Sequence, residues 1–196
     1  MQSKSIQKIV VIGGGIAGLS LAAAVQPWAE VTVLEREPHL GYHASGRSAA
    51  LFSETYGNAL VRALSLASRQ AIIDGGFAAH RRGALHVGGV EDSAAAIAVD
   101  RIEQATSLRI GRPSTPWAGL RTFSPDRTPV IGFDPRLPGF FWLGGQGGYG
   151  FQVSLTLARL GSVLLRGQPL PDDLTARGIT SAALAPNRFI TPAATP

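Results

Sequence analysis

Apolar positions run unbroken from Ile9 to Ile12 and then stop at three glycines, Gly13, Gly14 and Gly15. So short a run, β-branched and bounded by glycine, predicts a buried strand over 9–12. The apolar stretch that follows, closed by Pro27, predicts a helix over 15–25. Val-Thr-Val-Leu-Glu at 31–35 predicts a second strand, completing a βαβ unit. Farther on, Leu60, Leu64, Ala67 and Ala71 share one helical face and predict a helix over 58–73. An alanine-rich stretch from Ser93 to about Thr106, with Ser93 placed to cap it, predicts another. Short apolar runs at 83–88, 107–110, 117–123, 129–132 and 139–144, separated by Pro, Asp and Gly, predict strands. A last helix is predicted from about 150 to Arg166. Beyond Pro169 and Pro171 the chain is polar and proline-punctuated, and a surface-wrapping tail is expected. No internal repeat is evident.

The glycines add chemistry to the first unit. Gly13-x-Gly15-x-x-Gly18 follows a strand and opens a helix, and Glu35 ends the next strand about 20 residues later. In a dinucleotide fold Gly13 makes the tight turn, Gly15 lets backbone approach a pyrophosphate, and Gly18 lets helix and sheet pack closely. The helix start would aim unpaired N–H groups and its positive dipole end at that pyrophosphate. Glu35 can accept hydrogen bonds from ribose hydroxyls. Glycine triplets also mark ordinary turns, so the signal lies in strand, helix and acid agreeing.

Composition narrows the field. The 196 residues are 45% hydrophobic and 16% charged, which suits a globular domain. No apolar run is long enough to span a bilayer, so no integral membrane segment is expected. The first strand follows Met1 closely, leaving no room for a signal peptide. The absence of cysteine rules out a disulfide framework or a thiolate metal site and makes a cytoplasmic location the expectation. The net charge of +5 comes from scattered arginines; Lys4 and Lys8 are the only lysines. Neither a basic stripe nor an aromatic platform is present, so nucleic acid is not an expected partner. His39, His80 and His86 show no ligand spacing and no metal is expected.

Two further segments resemble the first glycine turn. Gly41 to Phe52 reads as a turn entering a helix, and Ser45, Gly46, Arg47 and Ser48 would form a second anion cradle. Gly147, Gly148, Tyr149 and Gly150 open the last predicted helix and form a third. A nicotinamide fold needs one cradle; three suit a longer cofactor lying extended. A helix end facing a flavin ring would stabilise the negative charge of its reduced form.

The first fingerprint, His43–Ala50, Trp117–Arg121, Pro129–Gly132 and Phe140–Gly150 together resemble the D-amino-acid oxidase family of FAD-dependent oxidoreductases, most of all its D-arginine dehydrogenase-like and glycine oxidase-like members. The resemblance implies an α/β, Rossmann-like FAD-binding domain of GR2 type, with a parallel central sheet and helices. It also implies FAD as cofactor and hydride transfer from the amine-bearing carbon of a small amine or D-amino acid, the imine later hydrolysing to a 2-oxo acid. By position, Gly13, Gly15 and Gly18 would face the pyrophosphate and Glu35 with Arg36 the adenosine ribose, while Ile16 and Ala17 between the glycines would also bind the cofactor. Arg47, Ser48 and Ala49 would lie along the flavin, Ser45 and Gly46 would bind the cofactor through the second cradle, and Gly147, Gly148, Tyr149, Gly150 and Phe151 would contact its pyrimidine edge. Arg121 matches an arginine that grips the substrate carboxylate, and Tyr56 a tyrosine near the substrate; Tyr149, flanked by glycines, is expected as a lid or flavin-stacking residue, with conformational filler as the alternative. His43 sits where some relatives attach FAD covalently, though an ordinary turn histidine is the plainer reading. Trp117, Phe140, Phe141 and Trp142 are expected in the core.

The chain also departs from the family. Only Asp92 to Val99 joins segments that longer members separate by an antiparallel substrate-binding sheet and further nucleotide-domain strands, which implies an internal deletion. One domain is expected, formed from 1–91 and 100–190 with a tail at 191–196. Leu51 stands where the D-arginine dehydrogenase group has a histidine. No lysine follows Lys8, and sarcosine-oxidase-like relatives activate oxygen with one, so a dehydrogenase with an unknown electron acceptor is expected over an oxidase. Two alternatives stay open: a non-catalytic FAD- or ADP-binding remnant or subunit needing a partner chain, and an NAD-dependent enzyme with a plain Rossmann fold.

Overall fold

The computed structural model describes residues 7–48, 51–75, 94–109 and 119–190; for 94–98 and 101 it describes the backbone only. Predicted features at 83–88, Ala49, His80, His86, Ile110, Trp117 and the 191–196 tail lie outside these residues. The chain divides into two compact units, one formed by Met1–Phe77 with Gly119–Pro196 and the other by Ala78–Ala118.

The first unit opens with β1 (Gln7–Ile12), α1 (Ile16–Val25) and β2 (Ala29–Leu34), the predicted βαβ unit. β1 and β2 pair in parallel, Ile9 opposite Val31 and Ile12 opposite Leu34, so the fold is α/β with a parallel sheet. α2 (Ala59–Asp74) follows. After the second unit come β3 (Val130–Phe133) and β4 (Phe141–Gly144), an antiparallel pair, and then α4 (Gly150–Leu165). The second unit contains α3 (Ala94–Ala105), whose end is held by Thr106 Oγ1 donating to Ile102 O at 2.7 Å.

α4 is the spine of the first unit. Val153, Leu157 and Leu160 are fully buried and join Val61 and Leu64 of α2 and Ile131 of β3 in one core. The α2 seam is partly polar: Ser68 and Thr156 hydroxyls lie 2.6 Å apart, and Gln152 Nε2 donates to Ser65 Oγ at 2.7 Å. Partnered in this way, buried hydroxyls do not carry the cost of a lost hydrogen bond. On the other side α1 lies so close that a Cβ at Gly161 would stand 2.6 Å from Leu21 Cδ1. Trp28 Nε1 donates to Ser162 Oγ across the same seam.

Several expectations need correction. The buried stripe of α2 is Val61, Leu64, Ser65 and Ser68, while Ala71 is exposed; it runs one residue later than the apolar spacing suggests, because the partners of α4 are polar there. Residues 107–109 form no strand, and of 119–123 only Phe123 forms a bridge, to Gln146. Residues 41–48 start no helix: 41–47 are continuous turn, with Gly41 at φ +72° and Gly46 N donating back to Gly41 O at 2.6 Å. Trp142 is exposed, its indole donating to Asp134 Oδ2 at 2.9 Å, so an aromatic expected in the core instead braces the β3–β4 turn.

The segment beyond Pro171 is not a surface wrap. It forms α5 (Asp172–Thr175), α6 (Ser181–Leu184) and a 3₁₀ turn over Pro186–Phe189, and buries Leu174, Ile179 and Leu184 completely. Arg188 locks it down by donating to Asp126 and to the carbonyls of Thr128 and Pro129.

One face of the β1–β2 pair stays open. Parallel sheets are ordinarily covered on both faces, yet Val10, Ile12 and Leu34 are 59%, 78% and 54% exposed. The opposite face, with Val11 and Ala29, is buried.

Two outcomes follow from this packing. Leu184→Ala should destabilise the protein by about 2–5 kcal/mol in urea unfolding; a loss below about 1 kcal/mol would put the C-terminal segment outside the core. The Arg188 guanidinium, followed by Thr128 N–H and Ser124 hydroxyl, lowers the Asp126 carboxyl from 3.8 to about 2. Because the folded value is the depressed one, the pair stabilises above pH 3.8 and that contribution is lost as pH falls toward about 2. Asp126→Asn should therefore be less stable than wild type at neutral pH and converge with it near pH 2; a constant offset down to pH 2 would contradict this.

Candidate functional site: a cleft between two helix ends

The β1–α1 turn is built from glycines that admit nothing larger. Gly13 has φ +102°, and a Cβ on Gly18 would collide with Gly13 O at 2.0 Å, backbone that cannot move aside. α1 then begins with no side-chain cap of its own. The capping atom comes from the 41–48 turn: Ile16 N donates to Ser45 Oγ at 2.9 Å, meeting one of the N–H groups left over at a helix start.

Glu35, at the end of β2, accepts from Gly14 N at 2.7 Å, Arg36 N at 2.8 Å and Glu37 N at 3.0 Å. Those donors, Glu37 N–H foremost and Gly14 N–H next, hold its carboxyl below the ordinary range. A carboxylate offers about four acceptor sites, so one remains for a ribose hydroxyl. Arg36 is turned to Glu37, which also meets His43 Nε2 at 2.9 Å.

The third segment meets the first. Gly147 has φ +51°, and its missing side chain leaves room for the Phe123 ring, which a Cβ would approach to 2.2 Å. A Cβ on Gly150 would press on Ile16 Cγ2 at 3.3 Å, so the N-terminus of α4 lies against that of α1. α4 also lacks a side-chain cap.

Between these ends lies a cleft of about 200 Å³. It is lined by Gly15, Ile16 and Ala17 of α1, Ser45 and Ser48 of the turn, Arg121, and Gly147, Gly148, Gly150 and Phe151. Ligand pockets span about 300–1,000 Å³, so the cleft suits one stretch of a dinucleotide. Arg121 contacts Ala44 O and Leu120 O only at 3.5 Å among the described residues, which leaves most of its five donors for other work.

Other expected residues stand apart. Gly13, Gly18, Glu35, Arg36, Gly46 and Arg47 do not line the cleft; the two glycines shape the turn behind it. Tyr149 is 6% exposed and belongs to the core with Val153 and Leu157, and burial pushes its phenol up. Its ring packs inward, edge-on to Tyr56 at 5.0 Å and Phe123 at 6.1 Å, and packing replaces the lid reading. Tyr56 is exposed, its hydroxyl 3.0 Å from where a Cβ on Gly148 would stand. Missed from sequence were Ala44, Leu120, Thr122, Gly144, Gly145 and Gln146 in the lining. Gln146 has a signal of its own, a buried Nε2 with no hydrogen-bond partner among the described residues.

The cradle fits an elongated, anionic, oxygen-rich cofactor: two helix N-termini converge, glycines admit close approach, and donors outnumber their protein partners. Among the described residues no cluster could hold a metal ion, and no helix is long and apolar enough to cross a membrane.

Fold and cleft together define a nucleotide-binding α/β protein. The chain belongs to the FAD dependent oxidoreductase family, whose sequence model matches residues 8–110 and 89–162, and that family depends on FAD. It is similar to L-aspartate oxidase of Yersinia pestis, 45% identical over 60 residues, covering 28% of this chain and 11% of that protein. It is also similar to the tRNA 5-methylaminomethyl-2-thiouridine biosynthesis bifunctional protein MnmC of Delftia acidovorans, 39% identical over 78 residues, 39% of this chain and 12% of that protein. The chain's matches thus span about a tenth of the length of these curated relatives.

The Ser45 cap is directly testable. Ser45→Ala should lower unfolding free energy by about 1 kcal/mol, as loss of a helix cap does, with the midpoint of urea unfolding as readout. An unchanged midpoint would mean that the hydroxyl does not hold α1.

Proposed function

We propose that the protein is an FAD-dependent oxidoreductase acting on the CH–NH2 group of a small amine or D-amino acid. The observation that carries this reading is the meeting of the α1 and α4 N-termini and Arg121 on one cleft. FAD, when bound, supplies a two-electron acceptor for the C–H bond beside the amine. Gly15, Ile16 and Ala17 hold the pyrophosphate, Glu35 the adenosine ribose, Ser45 and Ser48 the middle, and Gly147, Gly148, Gly150 and Phe151 the flavin edge. Arg121 grips the substrate carboxylate through two parallel N–H bonds, a geometry native to guanidinium. That grip fixes the amine-bearing carbon, and fixed geometry is where most of the rate gain of such a site arises.

The domain is of GR2 type, and the substrate-facing sheet is absent through an internal deletion. The family match in two stretches that meet over 89–110 supports this reading, as does the open face of β1–β2. The lack of a lysine after Lys8 favours a dehydrogenase passing electrons to a carrier, and the lack of cysteine favours the cytoplasm. The name of L-aspartate oxidase, an enzyme of an L-amino acid, supports an amino-acid donor and does not bear on its D configuration.

A second reading, an FAD- or ADP-binding remnant or subunit that needs a partner chain, is favoured by the exposed Val10, Ile12 and Leu34.

The test is the visible spectrum of the FAD-loaded protein under anaerobic addition of a D-amino-acid panel. Bleaching of the flavin bands by one class is the expected result; bands that persist with every member would reject catalysis and leave the binding subunit. In a protein that turns over, Arg121→Ala should raise KM for the D-amino acid about 10- to 100-fold, matching the loss of charged hydrogen bonds, with FAD affinity unchanged. An unaltered KM would remove Arg121 from the substrate site.

A further inference from the structure

Gln146 carries a signal that the glycine motif around it hides. It is 8% exposed, it lines the cleft, and its Nε2 is buried without a partner among the described residues. Buried polar groups in folded proteins are nearly always paired, so an unpaired donor calls for an explanation. The backbone of Gln146 is pinned on both sides. It bridges to Phe123, and its carbonyl accepts from Tyr149 N at 2.9 Å, the turn that starts α4.

The neighbouring sequence makes room for this side chain. Gln146 Oε1 lies 3.1 Å from the point that a Cβ on Gly150 would occupy, so the glycine at the first position of α4 is what admits the glutamine amide to the helix end. An uncapped sixteen-residue helix N-terminus and a buried unpaired amide donor therefore face one space. Both are complementary to an acceptor oxygen bearing negative charge.

Resting on the reading of this cleft as an FAD site, we propose that Gln146 donates through Nε2 to an acceptor oxygen on the flavin half of FAD, beside the N-terminus of α4. The pyrophosphate is served from the α1 side by Gly15, Ile16 and Ala17, whereas Gln146 belongs to the turn that leads into α4. The amide is thus a cofactor-binding group, unpaired only until FAD arrives.

The experiment titrates the full chain with FAD and separately with ADP, following flavin fluorescence for the first and calorimetry for the second. Wild type is compared with Gln146→Met, which keeps length and bulk but removes the donor, and with Gln146→Glu, which puts an acceptor in its place. Thermal midpoints of the apo forms are recorded alongside. Gln146→Met should bind FAD about tenfold more weakly and ADP as wild type does, with an apo midpoint equal to or above wild type because a buried unpaired donor has been removed. Gln146→Glu should weaken FAD binding further.

Equal FAD affinity in wild type and Gln146→Met would overturn the proposal alone. An equal loss for ADP would overturn the flavin-half assignment, and a lowered apo midpoint with unchanged FAD affinity would make Gln146 structural. Wild type that fails to bind FAD at all would overturn the reading of the cleft and this proposal with it.

Discussion

The contact between α1 and α4 is the constraint from which the rest of the first unit follows. Two helices whose starts lie side by side repel through their dipoles, so the arrangement needs packing to hold it. Glycine supplies the closeness at both ends: Gly150 against Ile16 at the open end, Gly161 against Leu21 farther along. With α1 fixed on α4, the parallel strands sit on the other side of α1, and α2 and the C-terminal segment close over α4. Two adjacent positive ends are then left facing one cleft. An anionic, oxygen-rich ligand there relieves the repulsion that packing imposes, which links the stability of this fold to its cofactor.

The same arrangement explains why one face of the β1–β2 pair is exposed. A βαβ unit buries one sheet face under its helix and leaves the other for further elements. Here the covered face carries Val11 and Ala29, and the open one shows Val10, Ile12 and Leu34. Lys8 and Glu30 pair at 3.6 Å at the far end of that open face, so only its end near the glycine turn is apolar. The exposed patch and the cleft thus occupy the same end of the strands.

Much of this was legible in the sequence because it is local. The βαβ start, the glycine turn, α2, α4 and the β3–β4 pair follow from apolar period, β-branched runs and glycine placement within windows of a dozen residues. What was not legible depends on distant partners. Ser45 caps a helix that starts 29 positions earlier, and Ser65 and Ser68 are buried only because Gln152 and Thr156 meet them. Leu174, Ile179 and Leu184 recur at a spacing that fits neither helix nor strand, since Leu174 and Leu184 sit in two different short helices and Ile179 in the connection between them. Tyr149, flanked by glycines, reads as a lid or flavin-stacking residue, yet the turn that starts α4 swings its ring into the core. Gln146 stood beside a glycine motif that drew attention to itself; the unpaired amide shows only once the packing is known.

The central claim is that both helix ends, not the glycine fingerprint alone, bind one cofactor. The most direct test is the change in backbone amide resonances of the isotope-labelled protein as FAD is added. Gly15, Ile16 and Ala17 should shift together with Gly147, Gly148, Gly150 and Phe151, at one common affinity. Shifts confined to residues 13–18 and 35–36, with 147–151 unmoved at saturation, would contradict it and leave a site for the ADP half only.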